Sequence, residues 1–182
     1  MRKVLIANRG EIACRIAATL RELGIAPVAV HSEADRGALH TRVAGESVEI
    51  GPAEAAASYL NIPALIAAAK SAGADAVHPG YGFLAENAAF AEAVEQAGLT
   101  FIGPSPEQIR TLGDKRAARE LAARARVPVV PGAEASSPQA LAAAAGKLGF
   151  PVIVKAALML DWEFERECDT VIAVVAPEAL QI

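Results

Sequence analysis

The stretch His78-Pro79-Gly80-Tyr81-Gly82-Phe83-Leu84-Ala85-Glu86-Asn87 gathers an imidazole, a phenol, a carboxylate and two glycines. Gly80 and Gly82 permit backbone shapes that other residues resist, so the main chain here can come close to a ligand. The stretch follows an apolar run, and Glu86 or Asn87 opens a helical pattern. In a parallel α/β sheet, the loop after the carboxyl end of a strand is where ligands sit. The spacing Gly80-x-Gly82-x-x-Ala85 meets the loose form of the dinucleotide fingerprint. A preceding proline, a place on the fourth strand and the lack of an acidic residue closing a strand about 20 residues later count against that match. Two readings stay open: a ligand loop, or a tight strand-to-helix turn.

Cations at two other places have the chemistry to meet an anion. Lys115 falls in the first turn of a helix for which Asp114 is the expected N-cap. A lysine there opposes the helix dipole, and a phosphate at that helix start would reverse the cost. Lys155 closes the apolar run Phe150–Val154, which places it at a solvent edge or facing an anion. Either lysine also reads as an ordinary solvated side chain. Near the amino terminus, Arg9 and Glu11 flank Gly10 between a strand and a helix. They read as a polar pair at the top of the sheet, or as a plain helix start in which Glu11 complements the dipole. His31, His40 and His78 have no metal-ligand spacing. No nucleophile elbow, Walker loop or Ser-His-Asp signal is present.

Alternating short strands and amphipathic helices must position these groups. Lys3–Asn8 reads as a strand. The helix that follows places Ile12, Ile16, Leu20 and Leu23 on one face and stops at Gly24. Strands over Pro27–Ser32, Ser47–Gly51, Ala74–Gly80 and Thr100–Ser105 alternate with a helix from about Pro63 and another from Glu86 or Asn87. This alternation predicts an α/β fold: a parallel sheet with helices on both faces. After Pro104 the texture changes to two successive helices, the extended piece Val127–Gly132, and a helix opened by Ser137 and Pro138. Apolar runs at Val152–Val154 and Val171–Val175 predict two more strands.

Composition narrows the function classes. Hydrophobic residues make up 53% of the chain and aromatics only 4%, so the core is aliphatic. The net charge of −4 offers no electrostatic reason to expect nucleic acid or an anionic membrane as partner. Cys14 and Cys168 lie far apart, which points to a reducing cytoplasm. No apolar run approaches membrane-spanning length, and the apolar core near the start is too short for a signal peptide.

Taken together, several motifs resemble biotin carboxylase, the ATP-dependent component of acyl-CoA and pyruvate carboxylases. They run in order through KVLIANRGEIACRI, AVHSEADRGALHTRVAGES, the stretch Ile50–Asn87, FIGPSPEQIRTLGDKRAARELA, VPVVPG and GFPVIVKAA. The resemblance implies a Rossmann-like pre-ATP-grasp domain over residues 1–104. Linker helices and the start of an ATP-grasp module would follow over 105–150, and an aberrant ATP-grasp remnant over 151–182. It implies that Lys115 and Lys155 contact ATP phosphates. It places His78, Gly80, Tyr81, Gly82, Phe83, Glu86 and Asn87 at the active-site mouth near biotin, and makes Arg15 a candidate dimer-interface residue. The intact family uses ATP, Mg²⁺ and bicarbonate to carboxylate biotin. Its partners are a biotin carboxyl carrier domain and a carboxyltransferase.

The same resemblance exposes a departure. After V-I-x-K-A the family has a glycine run whose backbone N–H groups close over phosphates. Here Leu158–Thr170 brings Asp161, Glu163, Glu165 and Glu167 instead. A second alignment sets FERECD against a later E-R-x-C-S stretch, with an internal deletion. The family's metal carboxylates and its bicarbonate-handling arginine and glutamate have no counterpart in these 182 residues. The resemblance therefore implies no catalytic residue and no metal ligand in this chain, and no turnover by it alone. A non-catalytic dimerisation or interaction module is the alternative, with a dinucleotide-binding domain behind it.

Overall fold

The computed structural model describes residues 1–113, 115–133, 137–149, 152–154 and 173–175. The chain divides into two compact units, Met1–Arg110 and Thr111–Ile182.

The first unit carries the expected parallel sheet. Its strands are β1 (Lys3–Ile6), β2 (Ala26–His31), β3 (Glu46–Glu49), β4 (Ala76–His78) and β5 (Thr100–Phe101), in spatial order β3-β2-β1-β4-β5. Every pairing in this sheet is parallel. Side chains alternate between the faces of a strand, and here they sort into two cores. Val4, Ile6, Ala29 and Ala76 pack with Ile12, Ile16 and Leu20 of α1 (Gly10–Glu22) and with Ala44 of α2 (Leu39–Ala44). Leu5, Val28, Val30 and Val77 pack with Leu65 and Ala68 of α3 (Ile62–Ser71) and with Phe90 and Val94 of α4 (Ala88–Gln96). The helices thus cover both faces, as a parallel sheet requires.

Local chemistry sets the helix ends. The Asn61 side chain accepts from the Ala64 N–H at 3.1 Å and caps α3; Asn87 does the same for α4 through the Phe90 N–H at 3.0 Å. Gly24, at φ +70°, follows the end of α1. One expectation fails here. α1 ends at Glu22, so Leu23 leaves the helical face and is 66% exposed. The helix α2 escapes the sequence pattern because six residues are too few to show a period.

α5 (Pro106–Gly113) runs across the division between the units, and α6 (Lys115–Arg124) and α7 (Pro138–Leu148) follow in the second. Ser137 caps α7 by accepting from the Ala140 N–H at 3.2 Å. The two late apolar runs form β6 (Val152–Val154) and β7 (Ala173–Val175). They pair antiparallel with each other, Ile153 opposite Val174, so neither strand is left without a partner. Asp114, Lys155, the segment Leu158–Thr170 and the side chain of Lys115 lie outside the described residues.

Candidate functional site

The strand order reverses at β1. From β1 the chain moves outward to β2 and β3, then returns to add β4 and β5 on the other side. Ligands of open α/β sheets sit at such a switch point. The register puts Ile6 opposite His78, and the Ala7 N–H donates to the His78 carbonyl at 2.9 Å. The turn Ala7–Arg9 thereby lies against the loop His78–Phe83.

Asn8 joins the two. It is 3% exposed. Its side-chain amide donates to the Pro79 and Tyr81 carbonyls, both at 2.8 Å, and its Oδ1 accepts from the Arg9 N–H at 2.9 Å. Gly80 sits between the two held carbonyls at φ +69°, and a Cβ there would fall 2.7 Å from Asn8 Nδ2. Glycine at 80 is required on both counts. The Gly80 N–H donates to His78 Nδ1 at 3.0 Å.

The far end of the loop rests on an aromatic platform. Phe83, at φ +43°, stacks on Tyr59 with ring centroids 5.1 Å apart and planes 14° apart. The Arg9 guanidinium lies 5.2 Å from the Tyr59 ring and 5.6 Å from that of Phe83, within cation–π reach. Its Nη1 pairs with Asp35 Oδ2 at 3.1 Å. The same oxygen accepts from Tyr59 Oη at 2.7 Å and Ser32 Oγ at 3.2 Å. The Ser32 N–H donates in turn to Tyr59 Oη at 3.1 Å. Of the two readings of Arg9 and Glu11, the helix start holds, with Glu11 in the first turn of α1; Arg9 reaches across to Asp35, and Glu11 accepts from the Tyr81 hydroxyl.

These contacts set the local electrostatics. Burial raises the Asp35 carboxyl, but hydrogen bonds from Tyr59, Arg9 and Ser32 outweigh it and hold the group below its ordinary 3.8. Burial, with donation to Asp35, pushes the Tyr59 phenol up to about 12. The Tyr81 phenol is raised chiefly by its bond to Glu11. Burial, then the charge of Arg15, holds His78 below its ordinary 6.5.

A pH dependence follows from linkage. The unfolded chain binds a proton at His78 more readily than the folded chain does. That contribution is intact above pH 6.5 and declines as pH falls below it. Asp35 adds a second loss as pH falls below 3.8. Thermal unfolding should show a midpoint that falls from about pH 7.5 to about pH 5, and His78→Gln should flatten that segment. A midpoint that rises with acid would contradict the assignment.

Of the residues singled out in the sequence, His78 ends β4, and Gly80, Tyr81, Gly82 and Phe83 lie in the loop that follows it. Tyr81 is 57% exposed. Glu86 is exposed, and Asn87 serves as the α4 cap. Arg15 is exposed on α1, near enough for its charge to act on His78 and Tyr81. Lys115 is the first residue of α6. Reading the sequence alone misses Asn8, Asp35 and Tyr59. The spacing Ser32-x-x-Asp35 is a visible capping-type signal, while nothing near Tyr59 marks it. Among the described residues no three His, Cys, Asp or Glu side chains converge to hold a metal ion, and no helix is long and apolar enough to cross a membrane.

Fold and loop together define a doubly wound α/β domain with its glycine-bearing loop at the switch point, lacking the three-glycine dinucleotide turn after β1. Residues 1–109 match the family "Biotin carboxylase, N-terminal domain", and residues 114–161 match "Carbamoyl-phosphate synthase L chain, ATP binding domain". Biotin carboxylase of Pseudomonas aeruginosa is 58% identical over 160 residues, covering 86% of this chain and 36% of that protein. The alpha subunit of mitochondrial methylcrotonoyl-CoA carboxylase from Oryza sativa is 54% identical over 155 residues, 84% of this chain and 21% of that protein. Among solved structures, the biotin carboxylase–βγ-ATP complex from Campylobacter jejuni superposes with a TM-score of 0.79 at 47% identity, over 86% of this chain and 35% of that one.

The chain belongs to the biotin carboxylase family, with the N-terminal domain of that family followed by sequence that matches an ATP-binding domain. It spans about a third of the length of the biotin carboxylases it matches.

Proposed function

We propose that this chain supplies the N-terminal domain of a biotin carboxylase, with the loop His78–Asn87 forming the biotin side of the active-site mouth. The observation that carries the reading is the loop itself. It follows β4 at the switch point with Tyr81 exposed, its backbone tied down by Asn8 and its far end by the stack of Phe83 on Tyr59 under Arg9.

In this reading ATP and bicarbonate are joined in the part of the relatives that this chain does not span, and Mg²⁺ is held there as well. Lys115, at the start of α6, and Lys155 are the phosphate contacts this chain would add; a helix start suits an anion. The acidic segment Leu158–Thr170 would weaken that contact by repulsion. This chain's own part is to seat the bicyclic ring of biotin against Tyr81 and shield one side of that mouth from water. The chain alone does not turn over ATP. Partners follow from the relatives: a biotin carboxyl carrier domain, a carboxyltransferase, and a second copy meeting the exposed Arg15 face. A reducing cytoplasmic setting fits Cys14, a free thiol among the described residues.

A graft tests the reading. Residues 1–110 of this chain replace the matched residues of the Pseudomonas aeruginosa biotin carboxylase, and bicarbonate-dependent ATP turnover is followed with free biotin. The graft should keep activity within about tenfold of the parent, a barrier change of ~1.4 kcal/mol. A folded graft that binds ATP but turns over no biotin would reject the reading.

A further inference from the structure

We infer that Asn8 is the positioning residue of the Tyr81 loop: its side-chain amide, holding the Pro79 and Tyr81 carbonyls, fixes where the Tyr81 ring is presented. The inference rests on the proposed role of this loop and names the residue that sets its geometry.

Three observations carry it. Asn8 spends its hydrogen-bonding capacity locally, with two donated bonds across Gly80 and one accepted from the Arg9 N–H. No smaller or charged residue reproduces that set. Asn8→Asp loses both donors and sets a carboxylate against two carbonyl oxygens, while Asn8→Ala removes donors and acceptor together. Second, the space a side chain at residue 80 would need is filled by the Asn8 amide, at 2.7 Å. Asn8 and Gly80 are therefore one interlocked device. Third, Tyr81 is 57% exposed, and its hydroxyl donates to the exposed Glu11. Neither packing nor a buried bond holds it, so its place follows from its backbone. A stretch with glycines at 80 and 82 has much conformational freedom to lose. Asn8 ties it from the end of β1, a buried strand in the middle of the sheet.

Asn8 also differs from Arg9 in what it controls. Arg9 supports Phe83 through its ring face and belongs to the Asp35–Tyr59 network. Asn8 holds the backbone on both sides of Gly80 and meets that network only through the Arg9 backbone N–H, with no bond to Asp35 or Tyr59. Its loss should move Tyr81 and spare Tyr59.

The chain has two tyrosines, Tyr59 and Tyr81, so ring-labelled tyrosine gives two NMR signals, one on each side of the question. In the full chain, Asn8→Ala and Asn8→Asp should shift the Tyr81 signal and bring its phenol titration back toward the ordinary 10.0. The Tyr59 signal, titrating at about 12, should stay in place. Gly80→Ala attacks the same device from the loop side and should reproduce the Tyr81 change, which keeps the test decisive if an Asn8 variant fails to fold. Free biotin is then added to the parent chain. A Tyr81 signal that moves with Asn8 and with biotin supports both the positioning and the biotin reading. One that moves with Asn8 but not with biotin keeps the positioning and counts against the biotin reading. A Tyr81 signal unmoved in the folded Asn8 variants, or in a folded Gly80→Ala chain, overturns the inference.

Discussion

Asp35→Ala is expected to destabilise the unit Met1–Arg110 by about 2–4 kcal/mol, a large loss against the usual stability of a domain. One carboxylate oxygen receives bonds from Tyr59, Ser32 and Arg9. Tyr59 is 1% exposed, so its hydroxyl proton loses its acceptor in a buried place, while its oxygen still accepts from the Ser32 N–H. That unsatisfied group is the main loss. The Arg9–Asp35 ion pair adds little by itself, because the arginine side chain is 48% exposed and its charge stays hydrated. Removing Asp35 also frees Arg9 from one side of its seat over Tyr59 and Phe83, so the loop end loosens along with the core. Two controls separate these effects. Asp35→Asn keeps an acceptor for Tyr59 and loses only the charge, and should cost about 1 kcal/mol. Tyr59→Phe removes the buried hydroxyl while keeping the stack on Phe83, and should fall between the two. Urea unfolding of the full chain followed by circular dichroism measures all three. An Asp35→Ala chain as stable as the parent would show that the network does not hold this unit together.

Much of this architecture is legible in the sequence, and the reasons are local. Ile12, Ile16 and Leu20 recur at helical spacing and are buried as that spacing requires. The helix set to open at Glu86 or Asn87 begins at Ala88, with Asn87 as its cap. The alternation of aliphatic strands with helices implies a parallel sheet, and five strands pair that way. Leu23 escapes the pattern because the period alone does not say where a helix stops; the glycine after it does. The site is legible in half. Glycines at 80 and 82 advertise an unusual backbone in any context. What the backbone is tied to is not local: Asn8 lies 71 residues from Pro79, and Tyr59 lies 24 from Asp35. Such pairs are created by the sheet order, which a linear pattern does not specify. Arg9 shows the same limit. Its neighbour Glu11 is the obvious partner in sequence, yet the fold brings Asp35 from the next strand's loop to meet it.

The role given to the loop makes one kinetic claim sharper than any other. If Tyr81 faces biotin, its loss should weaken biotin and leave the nucleotide alone, because an exposed ring at the active-site mouth supplies contact area and no charge. In the graft of residues 1–110 onto the Pseudomonas aeruginosa enzyme, Tyr81→Ala should raise the KM for free biotin by at least about tenfold, ~1.4 kcal/mol. The KM for ATP should change by less than about twofold. Tyr81→Phe keeps the ring and loses the bond to Glu11, and should recover most of the biotin affinity. The decisive measurement is the ratio of the two KM changes in Tyr81→Ala. A rise confined to biotin is the predicted result. A biotin KM equal to that of the unsubstituted graft, or one that rises in step with the KM for ATP, would contradict the placement of this loop at the biotin side of the site.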